Sequence, residues 1–143
     1  MKITICCSLA FMEEVKQVRN ELQNFGHQVL LPETILECEE KNVASYKELI
    51  QRFETEQEWS DYKKGRMLLH FDKVKQADAI LVCNYKKNEI EHYIGPNTFL
   101  EMALALYFNK PIYLLNPIPE NNYLDEITAM QPIVINQDLS LIC

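Results

Sequence analysis

The residue that most needs a chemical explanation is a carboxylate in an apolar setting. Residues 97–108 read NTFLEMALALYF, and apart from Asn97, Thr98 and Glu101 every position is apolar or aromatic. A helix that is apolar on every side is a buried one. Burying an ionised carboxylate without partners costs on the order of several kcal/mol, so Glu101 must either hold a proton or be given hydrogen bonds. Two readings meet that demand. Thr98-x-x-Glu101 fits a capping box, in which Thr98 caps the N3 amide and Glu101 folds back to the Thr98 amide. The other places Glu101 one turn into a helix beyond a central strand, where a nucleophile or general base would face a bound ligand.

His70 is the second candidate. It shares a stripe with Met67, Phe71, Val74 and Ala77 by the i, i+3, i+4, i+7 rule, and a histidine can act as an acid near neutral pH. On an apolar stripe it also reads as a satisfied core residue. Asp72 is nearby in sequence but falls on another face. The five cysteines, Cys6, Cys7, Cys38, Cys83 and Cys143, are odd in number and contain no C-x-x-C pair. Neither a disulfide framework nor a zinc motif is suggested, and no metal or cofactor is expected. Thiol chemistry at Cys7, with His92 or His70 as base, would need an electropositive setting that an acidic chain does not advertise.

The elements that must position these groups alternate along the chain. KITICC (2–7) reads as a short buried strand. Residues 10–24 follow as an amphipathic helix with Phe11, Val15, Val18 and Leu22 on one face, Ser8 as its cap and Gly26 as its stop. HQVLL (27–31) is a second strand. Residues 33–58 are acidic and irregular, with a helix expected near 45–53 and no placement on the fold. A helix over 60–76 leads to the continuous apolar strand 78–83, of the kind covered on both sides in a parallel sheet. After a long connection (84–96) come the Glu101 helix, a strand at 111–115, a short helix near 123–130 and a strand at 132–135. This alternation predicts one α/β domain spanning 1–143, doubly wound in the Rossmann-like or flavodoxin-like manner, with a mainly parallel five-stranded sheet and helices on both faces. Ligands in such folds bind beyond the carboxyl ends of the strands, here near 7–11, 84–101 and 115–121.

The run ADAILVCNYKKNEIEHYIGPNTFLEMALALYFNKPIYLL (77–115), with GHQVLLP (26–32) before it, resembles the nucleoside 2-deoxyribosyltransferase-like superfamily. That family contains base-exchanging transferases and hydrolases that cut the N-glycosidic bond of nucleoside monophosphates, both through an attacking glutamate. The resemblance implies that Glu101 is this nucleophile, forming a glycosyl-enzyme ester that water or a second base resolves, as in retaining glycosidases. It implies that Gly95, Asn97 and Thr98 touch the sugar or its 5′ substituent and that Ser8 lies in the loop holding the 5′ end. Cys7, Phe11, Asn84 and Asn116 fall in the same strand-end segments and complete the expected substrate-binding set. His70, by spacing, or Asp72, by residue type, matches the helix that supplies the acid for the leaving base.

Three departures from the family pattern stand out. Cys7 replaces a loop glycine and would crowd a close phosphate approach. The first loop offers Leu9, Ala10 and Phe11 where many members carry an aromatic hydroxyl. Residues 93–100 contain no aspartate, which tilts the reading from base exchange to hydrolysis.

Composition narrows the partners. The chain has 143 residues, is 48% hydrophobic and carries a formal net charge of −7. That charge disfavours a phosphate-backbone binder, so a small nucleoside or nucleotide is expected rather than a nucleic acid polymer. No apolar run approaches the ~18 residues of a membrane span and the first residues lack signal-peptide order, so a cytoplasmic protein with no membrane partner is expected. Tyr107, Phe108 and the long apolar helix suggest a surface that a homodimer would cover. The competing reading is a nucleotide-binding or sensor module of the same fold that has lost efficient chemistry.

Overall fold

Five short runs of aliphatic residues pair side by side in parallel: β1 (Lys2–Cys6), β2 (Gln28–Leu30), β3 (Ala79–Val82), β4 (Ile112–Leu114) and β5 (Ile133–Val134). The computed structural model describes all 143 residues. In it the strands run in the order β2-β1-β3-β4-β5. Six helices separate them: α1 (Met12–Asn24), α2 (Glu33–Glu40), α3 (Tyr46–Ile50), α4 (Glu56–Gln76), α5 (Pro96–Tyr107) and α6 (Leu124–Ala129). The expected doubly wound α/β architecture is the one observed.

Successive strand side chains point to opposite faces, and here both faces are covered. Ile3, Ile5, Ala79, Leu81 and Tyr113 pack with Val15, Val18 and Leu22 of α1. Cys6, Ile80, Val82, Ile112 and Leu114 pack on the other side with Val74 of α4, Met102 and Ala105 of α5 and Ile127 of α6. Thr4 is buried on β1, and its hydroxyl donates to the Lys73 carbonyl of α4 at 2.9 Å.

Residues 33–58, unplaced from sequence, form α2, α3 and the first turn of α4. Leu31, Ile35, Cys38, Val43 and Leu49 join the α1-side core. Ion pairs from Arg66 to Glu37 at 2.7 Å and from Lys73 to Glu33 tie α2 to α4. α4 starts four residues before the expected boundary because Thr55 and Glu58 form a reciprocal capping box.

The Glu101 helix is not buried all round, contrary to the expectation. Thr98, Glu101, Met102 and Ala105 face inward, while Leu100 and Leu106 are half exposed and Tyr107 is 82% exposed. One sheet face covers one side of a helix layer, and the other side of α5 is left to solvent. Along α4, His70 and Val74 are buried, whereas Met67 and Phe71 are only partly covered. No helix is long and apolar enough to cross a membrane.

Candidate active site

β1 lies between β2 and β3, and the chain leaves its carboxyl end towards one edge of the sheet while β3 feeds the other. At such a switch point the connections diverge and leave a crevice. A cleft of about 380 Å³ opens there.

Its floor is made by Glu101 and His70, whose Oε2 and Nε2 atoms are 3.7 Å apart. Both residues are buried, at 7% and 4% exposure. The capping-box reading of Glu101 fails for a simple reason. Pro96 occupies the first helical position and Gly95 is the cap, so the helix begins before Thr98 and Glu101 lies beyond the capping turn. Freed from the backbone, the carboxyl group faces His70 and the Cys6 thiol.

Burial pushes the Glu101 carboxyl up to about 8, with the Cys6 thiol beside it pulling weakly the other way. Burial pushes His70 down to about 4, and the Lys73 ammonium adds to the effect. Neither ring nitrogen of His70 has a hydrogen-bond partner; the nearby Ile5 backbone favours the charged ring without closing a normal bond. Between pH 4 and 8 the resting pair therefore carries one proton, on the carboxyl group.

Losing that proton costs stability. A carboxyl whose folded value is raised from 4.5 to about 8 binds its proton more tightly in the folded chain. Its contribution to stability is therefore lost as pH rises from about 4.5 to about 8, by roughly 5 kcal/mol in all. Glu101→Gln, neutral at every pH, should be more stable than the parent at pH 9 and lose that advantage below pH 5. Urea unfolding at both pH values checks this, and a pH-independent difference would contradict the burial argument.

Around this floor the cleft has two unlike ends. At one, Ser8, Lys87, Tyr93 and the start of α5 meet. The Lys87 ammonium donates to Ser8 Oγ at 3.0 Å and lies 4.8 Å from the Tyr93 ring centre. Tyr93 packs so closely on Gly95 that a Cβ there would meet its ring at 3.1 Å. The first helical bond of α5 runs from the Phe99 N–H to the Gly95 carbonyl, so the Asn97 and Thr98 N–H groups are not used within the helix. At the other end stand Trp59, Tyr62 and Arg66 of α4 with Tyr46 and Ile50 of α3. Trp59 and Tyr62 stack at 26° between ring planes, and Arg66 lies over the Tyr62 ring. Glu37 holds this wall by accepting from Tyr62 Oη and Arg66, both at 2.7 Å.

Cys7, Ser8, Gly95, Asn97, Thr98, His70 and Glu101 thus all line one cleft. Four of the expected residues do not. Phe11 is a core residue, edge-on to Tyr85. Asn84 and Asn116 bind one another across the ends of β3 and β4. The Asn116 N–H donates to Asn84 Oδ1 at 2.9 Å, and Asn84 Nδ2 donates to the Asn116 and Pro117 carbonyls. They brace the strand ends. Asp72 is exposed on the outer face of α4. The expected third segment, 115–121, contributes nothing to the lining, and its place is taken by residues 32–67. His92 is not in the lining, and burial with nearby Cys83 and Glu101 pushes the Cys7 thiol up, so no thiolate is formed there. Lys87, Tyr93, Trp59, Tyr62 and Arg66 were not anticipated.

Comparison with solved structures finds this fold in the Clostridium botulinum CMP N-glycosidase BcmB. The TM-score is 0.50 at 15% identity, over 94% of this chain and 85% of that one. A 2-deoxyribosyltransferase from the psychrotolerant bacterium Bacillus psychrosaccharolyticus is also similar. There the TM-score is 0.49 at 18% identity, over 80% of this chain and 71% of that one. No protein-family model matches the sequence, and no curated protein matches it. At these identities the likeness is one of fold.

Proposed function

We propose that this chain cleaves the N-glycosidic bond of a nucleoside 5′-monophosphate, with Glu101 as nucleophile and His70 as the acid for the departing base. The observation that carries the reading is the buried Glu101–His70 pair at the floor of a two-ended cleft. The fold shared with a protein named a CMP N-glycosidase supports the type of bond and leaves the base open.

The pair's single proton sets the chemistry. It moves from the Glu101 carboxyl to His70, leaving a carboxylate opposite the anomeric carbon and an imidazolium for the base. As the C–N bond breaks, the ring proton goes to the base nitrogen and a Glu101 oxygen bonds to the anomeric carbon. Positive charge developing on the sugar favours the ionised carboxylate at that moment and offsets the unfavourable proton transfer. Neutral His70 then takes a proton from water as water attacks the same carbon, and Glu101 leaves as carboxylate. The net reaction is hydrolysis with retention.

The ends of the cleft suit the two ends of a nucleotide. Trp59, braced by its stack on Tyr62, offers an aromatic wall to a base. Lys87, Ser8 and the unused amides of α5 suit a dianionic 5′-phosphate, for which a helix N-terminus is a favourable setting. Lys87→Ala should raise KM for a nucleoside monophosphate by on the order of tenfold or more, as expected for losing a charge-assisted contact, and leave KM for the nucleoside unchanged. Equal effects on both substrates would remove the phosphate from this end.

The direct test is chromatography of free base from a panel of ribo- and deoxyribonucleosides and their monophosphates, with and without a second base to separate exchange from hydrolysis. The alternative, a binding module, draws on the resting state, in which Glu101 is protonated and not nucleophilic. Ligand-induced stabilisation with no base released from any substrate would select it.

A further inference from the structure

Three side chains with metal-binding chemistry meet beneath the cleft from three separate elements: Cys6 at the end of β1, His70 on α4 and Glu101 on α5. One ligand atom of each lies within 4.8 Å of the other two, and all three residues are buried. A buried imidazole normally holds at least one hydrogen bond. His70 holds none at either nitrogen, although it is 4% exposed and beside a carboxyl group.

We propose that Cys6 Sγ, a His70 ring nitrogen and a Glu101 carboxylate oxygen form a site for a zinc-class divalent ion, with the fourth position open to the cleft. The ligand set points to the ion. A thiolate with an imidazole and a carboxylate suits Zn²⁺ and is foreign to Mg²⁺ or Ca²⁺, which take oxygen donors. Charge points the same way. Thiolate and carboxylate release their two protons to solvent and together neutralise a dication, so the buried complex carries no net charge.

The geometry needs little change. Zinc bonds of about 2.0–2.3 Å set tetrahedral ligand atoms roughly 3.3–3.7 Å apart. His70 Nε2 and Glu101 Oε2 already stand at 3.7 Å. No two of the three ligand atoms are more than 4.8 Å apart, so closing the set on one ion takes a displacement of about an ångström. Three protein ligands and one open position leave room for water or for a donor atom of a bound ligand.

Occupancy has a consequence that rests on the glycosidic reading above. An ion on Glu101 removes the nucleophile, and on His70 it removes the acid. Zinc is then a reversible inhibitor whose action ends with chelation.

The site is tested on the whole chain with Co²⁺ as the probe, because tetrahedral thiolate–cobalt centres show a charge-transfer absorption that does not depend on catalysis. One equivalent of Co²⁺ should develop that band, and Zn²⁺ should displace it. The band should persist in Cys143→Ser and vanish in Cys6→Ala. His70→Gln, which leaves the sulfur in place and guards against misfolding of the Cys6 variant, should weaken Zn²⁺ binding by on the order of tenfold or more. A wild-type titration without the band, or a band that survives Cys6→Ala, overturns the site. The two readings fail separately: a cobalt band with no base release from any substrate removes the glycosidase and keeps the metal site, and base release with no band does the reverse.

Discussion

Glu101→Gln should abolish base release, with kcat falling by on the order of 10³-fold or more, as when the nucleophile is removed from an enzyme that works through a covalent intermediate. The substitution keeps the side chain's size and neutral resting charge, so the cleft should still bind nucleotide. KM should change little while kcat collapses. A truncation such as Glu101→Ala would confound this by opening a cavity beside Met102 and Cys6, both fully buried. Residual turnover within about tenfold of the parent would mean that Glu101 is not the attacking group.

The second large effect concerns His70 and shows most clearly in the pH profile. With one proton shared between groups that titrate at about 4 and about 8, kcat/KM of the parent should be level between those values and fall outside them. Below about 4 both groups are protonated and no nucleophile exists. Above about 8 the pair has lost its proton and no acid remains. On the proposed mechanism His70→Gln removes the acid and also the site to which the Glu101 proton moves. Its rate should drop by about 10²-fold or more at neutral pH. Its alkaline limb should invert, rising with pH until Glu101 is ionised. An unchanged alkaline limb in the variant would show that His70 is only a packing residue.

What the sequence disclosed and what it concealed follow from how each feature is written in the chain. The strands were legible because β1 and β3 are buried on both sides and read as unbroken apolar runs, KITICC and AILVC. Glu101 was legible because a charge in an otherwise apolar helix has few explanations, and His70 because the stripe it shares has helical period. The capping-box alternative could have been set aside from the residues themselves, since Gly95-Pro96 announces a helix start one turn before Glu101.

The aromatic end of the cleft was concealed for a different reason. α2 and α3 are placed by a few apolar side chains in an acidic segment, Ile35, Cys38, Val43 and Leu49, and α2 is tied to α4 by ion pairs far apart in sequence, Arg66 with Glu37 and Lys73 with Glu33; such pairing leaves no periodic trace. A weak signal existed in Trp59, Tyr62 and Arg66, spaced three and four apart and so neighbours on one helix face. Lys87 and Tyr93 sit in the long connection after β3, where chain conformation rather than residue pattern decides what reaches the cleft. Asn84 and Asn116 show the reverse error. Polar residues at strand ends read as ligand contacts, yet these two satisfy one another's backbone across β3 and β4.

The most direct test of the covalent account is the intact mass of the protein after brief incubation with a cleaved nucleoside monophosphate and an acid quench. The account predicts a fraction of the chain heavier by one phosphopentosyl group, located by peptide mapping to Glu101 and missing from Glu101→Gln. Rapid base release from a chain that stays unmodified at every quench time, with inversion at the anomeric carbon, would contradict it and make the carboxylate a base for water instead.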